Sequence, residues 1–155
     1  MPDDVISTDM VIIGAGPVGL FAVFEAGLLG MRCHLVDNLD KIGGQCAELY
    51  PDKPIYDIPA IPSCNGQELV DNLVAQCRPF EPVFHLGQQA ERLERVPGEG
   101  GSGDRWRLTT SEGTALEAPA IVIAAGAGSF VPRRVPLPGS ERFEDVSLYY
   151  AVRKM

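Results

Sequence analysis

The stretch DMVIIGAGPVG, residues 9–19, decides the fold of this chain. Its short apolar run MVII predicts a buried strand of a parallel sheet, because such strands are covered on both faces. The glycine pattern G-x-G-x-x-G follows at once, at Gly14, Gly16 and Gly19. A helix is predicted next, over residues 17–30, and it is expected to be largely buried between layers because Glu25 is its only charged residue. A strand, a glycine turn and a helix in this order are typical of a unit that binds the pyrophosphate of a dinucleotide.

The three glycines of this motif have separate physical roles. Gly14 permits a tight turn, Gly16 lets the backbone approach a pyrophosphate, and Gly19 permits close packing of the helix on the strand. The free amides and the dipole at the start of the helix attract the anionic group. The motif therefore predicts a phosphate site where the helix begins.

A second strand is predicted over residues 32–37, which contain the apolar run CHLV. The short connection favours a right-handed parallel βαβ unit. Asp37 ends this strand, where an acid accepts hydrogen bonds from ribose hydroxyls and repels a 2′-phosphate. The first site is therefore expected to take FAD or NAD rather than NADP.

Composition and charge exclude several other classes. The chain has 155 residues, 45% hydrophobic and 22% charged, which fits one folded domain. A net charge of −8 argues against binding to nucleic acid or to a membrane through a polybasic patch. No apolar run could span a bilayer, and the acidic N-terminus does not resemble a signal peptide, so a cytoplasmic location is expected. The four cysteines form no C-x-x-C pair, so packed thiols are expected and no metal site is predicted.

The rest of the chain predicts an α/β fold with a parallel sheet, a three-layer sandwich and a β-meander as a crossover. Residues 39–63 are rich in glycine and proline and show no sustained helical period. A helix is predicted from Asn65 or Gly66 to about Arg78. The predicted later segments are short meander strands at 83–86, 90–95, 106–110 and 115–116, a strand at 120–124 that returns to the parallel sheet, and a glycine loop at 125–128.

The segment GGQCAELYPDKPIYDIP, residues 43–59, resembles the bacterial-type ferredoxin–NADP reductases, which are thioredoxin-reductase-like flavoproteins. Their motif here reads GGQ-x-x-x-LYP-x-K-x-IYD. The loop GAGSF, residues 126–130, is similar to the second FAD loop of that family. The resemblance covers essentially the whole chain and implies a Rossmann-like FAD-binding domain.

The resemblance also implies roles for individual residues. Gln45 would contact the flavin end of FAD, and Tyr50 would stack on one face of the isoalloxazine ring. Ala90 would meet adenine through its backbone, and Phe130 would line the site after the second loop. Asp37 stands where the family places its ribose-binding acid, which is Glu in many members. The expected cofactor-binding residues are Gly14, Ala15, Gly16, Pro17, Val18, Gly19, Asp37, Gly44, Gln45, Tyr50, Ala90, Gly126 and Phe130.

For the parent protein, the resemblance implies electron transfer from NADPH through FAD to ferredoxin. FAD and NADPH are then the cofactors, and ferredoxin or a similar iron–sulfur protein is the partner of an expected homodimer. The redox chemistry belongs to the cofactor, so no catalytic acid, base or nucleophile is predicted. Residues 1–155 are expected to form the N-terminal portion of the FAD-binding domain, without the NADPH domain or the returning C-terminal FAD segment, and to be inactive alone.

Three alternatives remain at this point: a thioredoxin-reductase-like enzyme, a stand-alone FAD-binding module without catalysis, and an NAD-binding dehydrogenase domain. The LYP and IYD block argues against the first, and the GGQ segment argues against the last. Cys46 lies near the expected flavin, but no partner cysteine is near in sequence, so packing is the favoured interpretation. Arg133 and Arg134 are interpreted as a solvated pair, with docking of an acidic ferredoxin as the alternative.

Overall fold

The computed structural model describes residues 5–98, 103–129 and 134–150. Two longer helices cover one face of a parallel sheet, and a second sheet covers the other face. The strands are β1 (Ile6–Ser7), β2 (Met10–Ile13), β3 (Cys33–Val36), β4 (Pro54–Ile55), β5 (Cys64–Asn65), β6 (Val83–His85), β7 (Ala90–Pro97), β8 (Asp104–Thr110), β9 (Ala115–Ala118) and β10 (Ala120–Ile123). The α-helices are α1 (Pro17–Leu28), α2 (Gly44–Glu48) and α3 (Gly66–Cys77).

The central sheet has the order β10-β2-β3-β6, and all of its strands are parallel. Because side chains alternate along a strand, the run MVII in β2 serves two cores. Ile12 packs with Leu20 and Leu35 on the helical side, while Val11 packs with Leu116 on the side of the second sheet. These side chains are fully buried, so the sequence-based prediction of a covered parallel sheet in a three-layer fold is confirmed.

The second sheet differs from the predicted meander at both of its ends. Residues 83–86 were expected to begin the meander, but β6 pairs with β3 at the edge of the parallel sheet. The reason is that β6 directly follows α3, and a strand after a helical crossover returns parallel. The meander therefore contains β7, β8 and β9, and the two-residue β1 joins it parallel to β9, which was not predicted.

The segment rich in glycine and proline contains a helix that the sequence did not reveal. The five-residue α2 is too short to show a hydrophobic period. The start of α3 was predicted correctly and is fixed by a capping box. The Asn65 side chain accepts from the Glu68 amide, and the Glu68 carboxylate accepts from the Asn65 amide, each at 2.8 Å.

Helix α1 is less buried than its apolar sequence predicts. Leu20 and Val23 are buried, but Val18, Phe21 and Leu28 are 69%, 46% and 62% exposed. The prediction of a helix largely buried between layers is wrong for this face, because the described residues place a layer on one side of α1 only. Among the described helices, none is long and apolar enough to cross a bilayer.

Candidate cofactor-binding site

A cleft of about 470 Å³ opens at the carboxyl ends of β2, β3 and β10. Ligands of open α/β sheets bind at this edge. Ala15 and Gly19 lie buried behind the cleft wall, and Phe130 lies outside the described residues. The remaining sequence-predicted residues all line the cleft: Gly14, Gly16, Pro17, Val18, Asp37, Gly44, Gln45, Tyr50, Ala90 and Gly126.

The first glycine turn leaves no room for side chains. Gly14 has a φ of +109°, and a Cβ there would overlap the carbonyl oxygen of Ala124 on the neighbouring strand end. A Cβ on Gly19 would overlap the carbonyl oxygen of Gly14, which is the close helix-to-strand packing that the motif predicts. The turn is anchored by the Gly14 amide, which donates to the Val36 carbonyl at 2.8 Å.

Helix α1 begins at this turn with Gly16 as its N-cap and Pro17 as its first residue. Gly16 has no side chain to cap the helix, and the amides of a first turn have no acceptor within the helix. Both residues line the cleft. The cleft therefore has the amides and the positive dipole end that suit a phosphate.

Asp37 holds the cleft together as well as lining it. One carboxylate oxygen accepts from the Ala15 amide at 2.7 Å, and the other accepts from the Leu39 amide at 2.9 Å. Its backbone amide donates to the His85 carbonyl at 3.1 Å, and its carbonyl accepts from the Gln88 amide at 3.0 Å. The acid is thus fixed against the glycine turn, a contact that the sequence did not predict.

Two further glycine loops close on the first. The Gly43 amide donates to the Ala15 carbonyl at 2.9 Å. A Cβ on Gly44 would lie 3.0 Å from the Gly16 Cα, and a Cβ on Gly126 would lie 3.3 Å from the side-chain nitrogen Nε2 of Gln45. The GGQ segment and the second loop therefore meet the first motif at one point, although they are far apart in sequence.

The short helix α2 brings Cys46 and Tyr50 to one end of the cleft. The Cys46 sulfur and the Tyr50 hydroxyl oxygen share a hydrogen bond across 3.8 Å. This hydrogen bond, and then burial, raise the pKa of Tyr50. A second cavity of about 480 Å³ lies beyond Tyr50, between residues 53 and 57. The Lys53 ammonium lies there, 5.7 Å from the centre of the tyrosine ring.

The other end of the cleft contains residues that sequence reasoning missed. Asn38, Leu39, Gln88 and Gln89 line it beside the predicted Ala90. The Gln88 side-chain oxygen accepts from the buried Thr110 hydroxyl at 2.8 Å. Gln88 and Gln89 follow β6, so correct placement of β6 in the parallel sheet would have predicted them at this carboxyl edge.

Two tail arginines had been considered for docking. Arg134 lies 3.7 Å from the Glu144 carboxylate and is largely exposed. Arg133 lies outside the described residues. The Glu144 carboxylate offsets the charge of Arg134, whose side chain remains in contact with solvent.

Comparison with curated proteins gives a close match along the chain. It is 58% identical over 153 residues to a ferredoxin–NADP reductase of Bradyrhizobium diazoefficiens, covering 98% of this chain and 43% of that protein. It is 55% identical over 155 residues to a ferredoxin–NADP reductase of Parvibaculum lavamentivorans, covering 100% of this chain and 44% of that protein. The resemblance to ferredoxin–NADP reductases is confirmed. The chain spans less than half the length of these relatives. No family model matches it.

Comparison with solved structures supports the fold independently. The thioredoxin reductase of T. acidophilum matches with a TM-score of 0.65 and 18% sequence identity, over 88% of this chain and 40% of that chain. Because the sequence identity is only 18%, this match shows the fold alone. The chain has the Rossmann-type α/β fold of the FAD-binding domain in thioredoxin-reductase-like proteins.

Proposed function

We propose that residues 1–155 are the N-terminal portion of the FAD-binding domain of a ferredoxin–NADP reductase. In the whole enzyme, electrons would pass from NADPH through FAD to ferredoxin. The observation that carries the proposal is one cleft in which the first glycine motif, Asp37, the GGQ segment and the second glycine loop converge. The names of the curated relatives support the same activity.

The shape and chemistry of the cleft fit FAD. Its volume lies in the range of cofactor sites, and it has a mainly apolar lining with a few placed polar groups. Gly14, Gly44 and Gly126 keep its walls free of side chains that would fill it or displace its neighbours. When bound, FAD supplies the transfer of hydride and of single electrons, and the protein supplies binding and orientation.

Each end of the cleft has a proposed role. The first turn of α1 would hold the pyrophosphate, and Asp37 would accept from ribose hydroxyls with lone pairs that its two amide donors leave free. Ala90 would present its backbone to adenine, and Tyr50 would cover one face of the isoalloxazine ring beside Gln45. Phe130 is proposed to line the same site.

Discrimination among nucleotides tests the site. We expect FAD and ADP-ribose to compete for the chain in equilibrium dialysis. ADP-ribose carrying a 2′-phosphate should bind at least about 10-fold more weakly, because Asp37 repels the added charge. FMN, which lacks the adenosine half, should not compete. Equal binding of the two ADP-ribose forms, or binding of FMN as strong as that of FAD, contradicts the proposal.

The activity itself is tested with the full-length protein. It would be reduced anaerobically by NADPH and then offered oxidised ferredoxin or oxidised thioredoxin. Reoxidation of the flavin by ferredoxin is expected, and transfer to thioredoxin alone would favour the thioredoxin reductase alternative. The 155-residue chain, loaded with FAD, is expected not to oxidise NADPH at the rate of the full-length protein. Equal rates would contradict its role as a cofactor-binding part.

A further inference from the structure

Cys46 and Tyr50 form a pair that no step of the proposed electron transfer uses. Cys46 lies in α2, and Tyr50, four residues after it, follows the end of that helix. Residues at this spacing lie on the same side of a helical turn. The Cys46 side chain is buried within the core beneath the cleft, whereas the Tyr50 ring is half-buried and separates the cleft from the second cavity. Their contact joins the thiol to the phenol oxygen.

The backbone of this pair is fixed from below by α3. A Cβ on Gly66 would come within 2.6 Å of the Tyr50 carbonyl oxygen and 2.8 Å of the Cys46 carbonyl oxygen, so the helix start packs directly against both. The Gln67 amide also donates to the Pro51 carbonyl at 2.9 Å. Because the turn is held by its main chain, the thiol has a defined position from which to hold the phenol.

We infer that Cys46 is a positioning residue, whose thiol holds the Tyr50 ring at the flavin end of the cleft. The inference rests on the proposed function. Because this hydrogen bond raises the pKa of Tyr50, it stabilises the neutral phenol as the donor, and the sulfur fixes both the ring and the direction of its hydroxyl. Lys53 contacts the same ring from the second cavity but is exposed, so the buried thiol is the better fixed of the two contacts.

The contact can be tested without cofactor. Ionisation of Tyr50 would be followed by ultraviolet difference titration, with Y50F variants to subtract the other tyrosines. The midpoint is expected above the ordinary value of 10.0 in the wild-type chain and lower in C46A. Cys64→Ala is the matched control, because Cys64 is 7% exposed like Cys46 and lies in the same core but outside the cleft. An unchanged midpoint in C46A overturns the inference.

The consequence for the cofactor is tested by a double-mutant cycle on FAD affinity. C46A is expected to weaken FAD binding by about 3-fold to 10-fold, the range of one lost hydrogen bond. In the Y50F background, which has no phenol oxygen, the same substitution should change affinity by less than about 2-fold. C64A should leave affinity unchanged.

Equal effects of C46A in the wild-type and Y50F backgrounds would show that the thiol only fills space, which overturns the inference while leaving FAD binding intact. Failure of the wild-type chain to bind FAD would contradict the proposed function and, with it, the role of Cys46 toward the cofactor. In that case, a lower midpoint of Tyr50 ionisation in C46A would still show that the thiol contacts the phenol in the chain without cofactor.

Discussion

At the scale of single residues, Asp37 links the architecture of the cleft to its specificity. Its two carboxylate oxygens accept from the Ala15 and Leu39 amides, so the same group that faces the expected ribose also fixes the glycine turn. A longer acid could reach the ribose from farther back, but the short aspartate lies directly against the turn. Loss of the carboxylate should therefore affect folding and binding together.

Asp37→Asn tests this double role. The new amide nitrogen cannot accept, so either the Ala15 or the Leu39 amide loses its partner. We expect the free energy of unfolding in urea to fall by about 1–3 kcal/mol and FAD affinity to fall by at least about 10-fold. Glu112→Gln, in the exposed turn before β9, is the control for net charge. A D37N chain as stable and as tight-binding as E112Q would contradict this account.

Gly14 is required for two separate reasons, and they can be measured apart. Gly14 and Gly30 both have positive φ, at +109° and +74°, but only the former is crowded, since nothing lies within 4 Å of a Cβ on Gly30. Gly30→Ala should cost about 1–2 kcal/mol for the left-handed backbone alone. Gly14→Ala should cost clearly more in the same urea titration, because its methyl group overlaps the main chain at Ala124. An equal loss of unfolding free energy in the two variants would mean that the main chain at Ala124 moves to accommodate the added methyl group.

At the scale of elements, β3 and β6 are joined by a pair of histidines as well as by the ladder. His34 Nδ1 lies 2.9 Å from His85 Nε2, and the rings stack with centroids 5.2 Å apart. Burial lowers the pKa of both groups, and His85 and Arg32 lower the pKa of His34 further. One ring must be neutral to accept the hydrogen bond, so the pair is suited to neutral pH.

The histidine pair predicts a loss of stability in acid. In the unfolded chain both groups take up protons near pH 6.5, whereas the folded chain takes them up only at lower pH. The unfolded state therefore binds more protons as pH falls through this window, and the free energy of unfolding decreases. Urea titrations at pH 7.5 and at pH 5 should show a smaller decrease in H34Q/H85Q than in the wild type. An equal decrease would assign the effect to the carboxylates alone.

The elements also show what the sequence could predict. Strands β2, β3 and β10 and helices α1 and α3 were predictable, because apolar runs, a glycine motif and a capping box are local signals. Helix α2 and strand β1 are too short to carry a period. The contact of Asp37 with the glycine turn joins two separate segments, so it follows from the fold and not from either segment alone. The contact of Cys46 with Tyr50 is local, but it depends on α2, which the sequence did not reveal.

At the scale of the whole molecule, the fold is a three-layer frame with the cleft at one edge. The sequence predicted the layers, and most of the site residues that it predicted line the cleft. The burial of α1 was overestimated from the sequence, because an apolar helix can have one face covered by the protein and another face exposed. The exposed Phe21 and Leu28 lie outside the cleft, whereas the exposed Val18 lines it.

The central claim is that FAD binds in the cleft rather than elsewhere on this chain. Amide NMR spectra of the ¹⁵N-labelled chain, recorded during titration with FAD, test it most directly. The account predicts saturable shifts concentrated at Gly16, Asp37, Gln45 and Ala90. No shifts at these positions, or shifts confined to the outer face of α1 around Phe21, would contradict it.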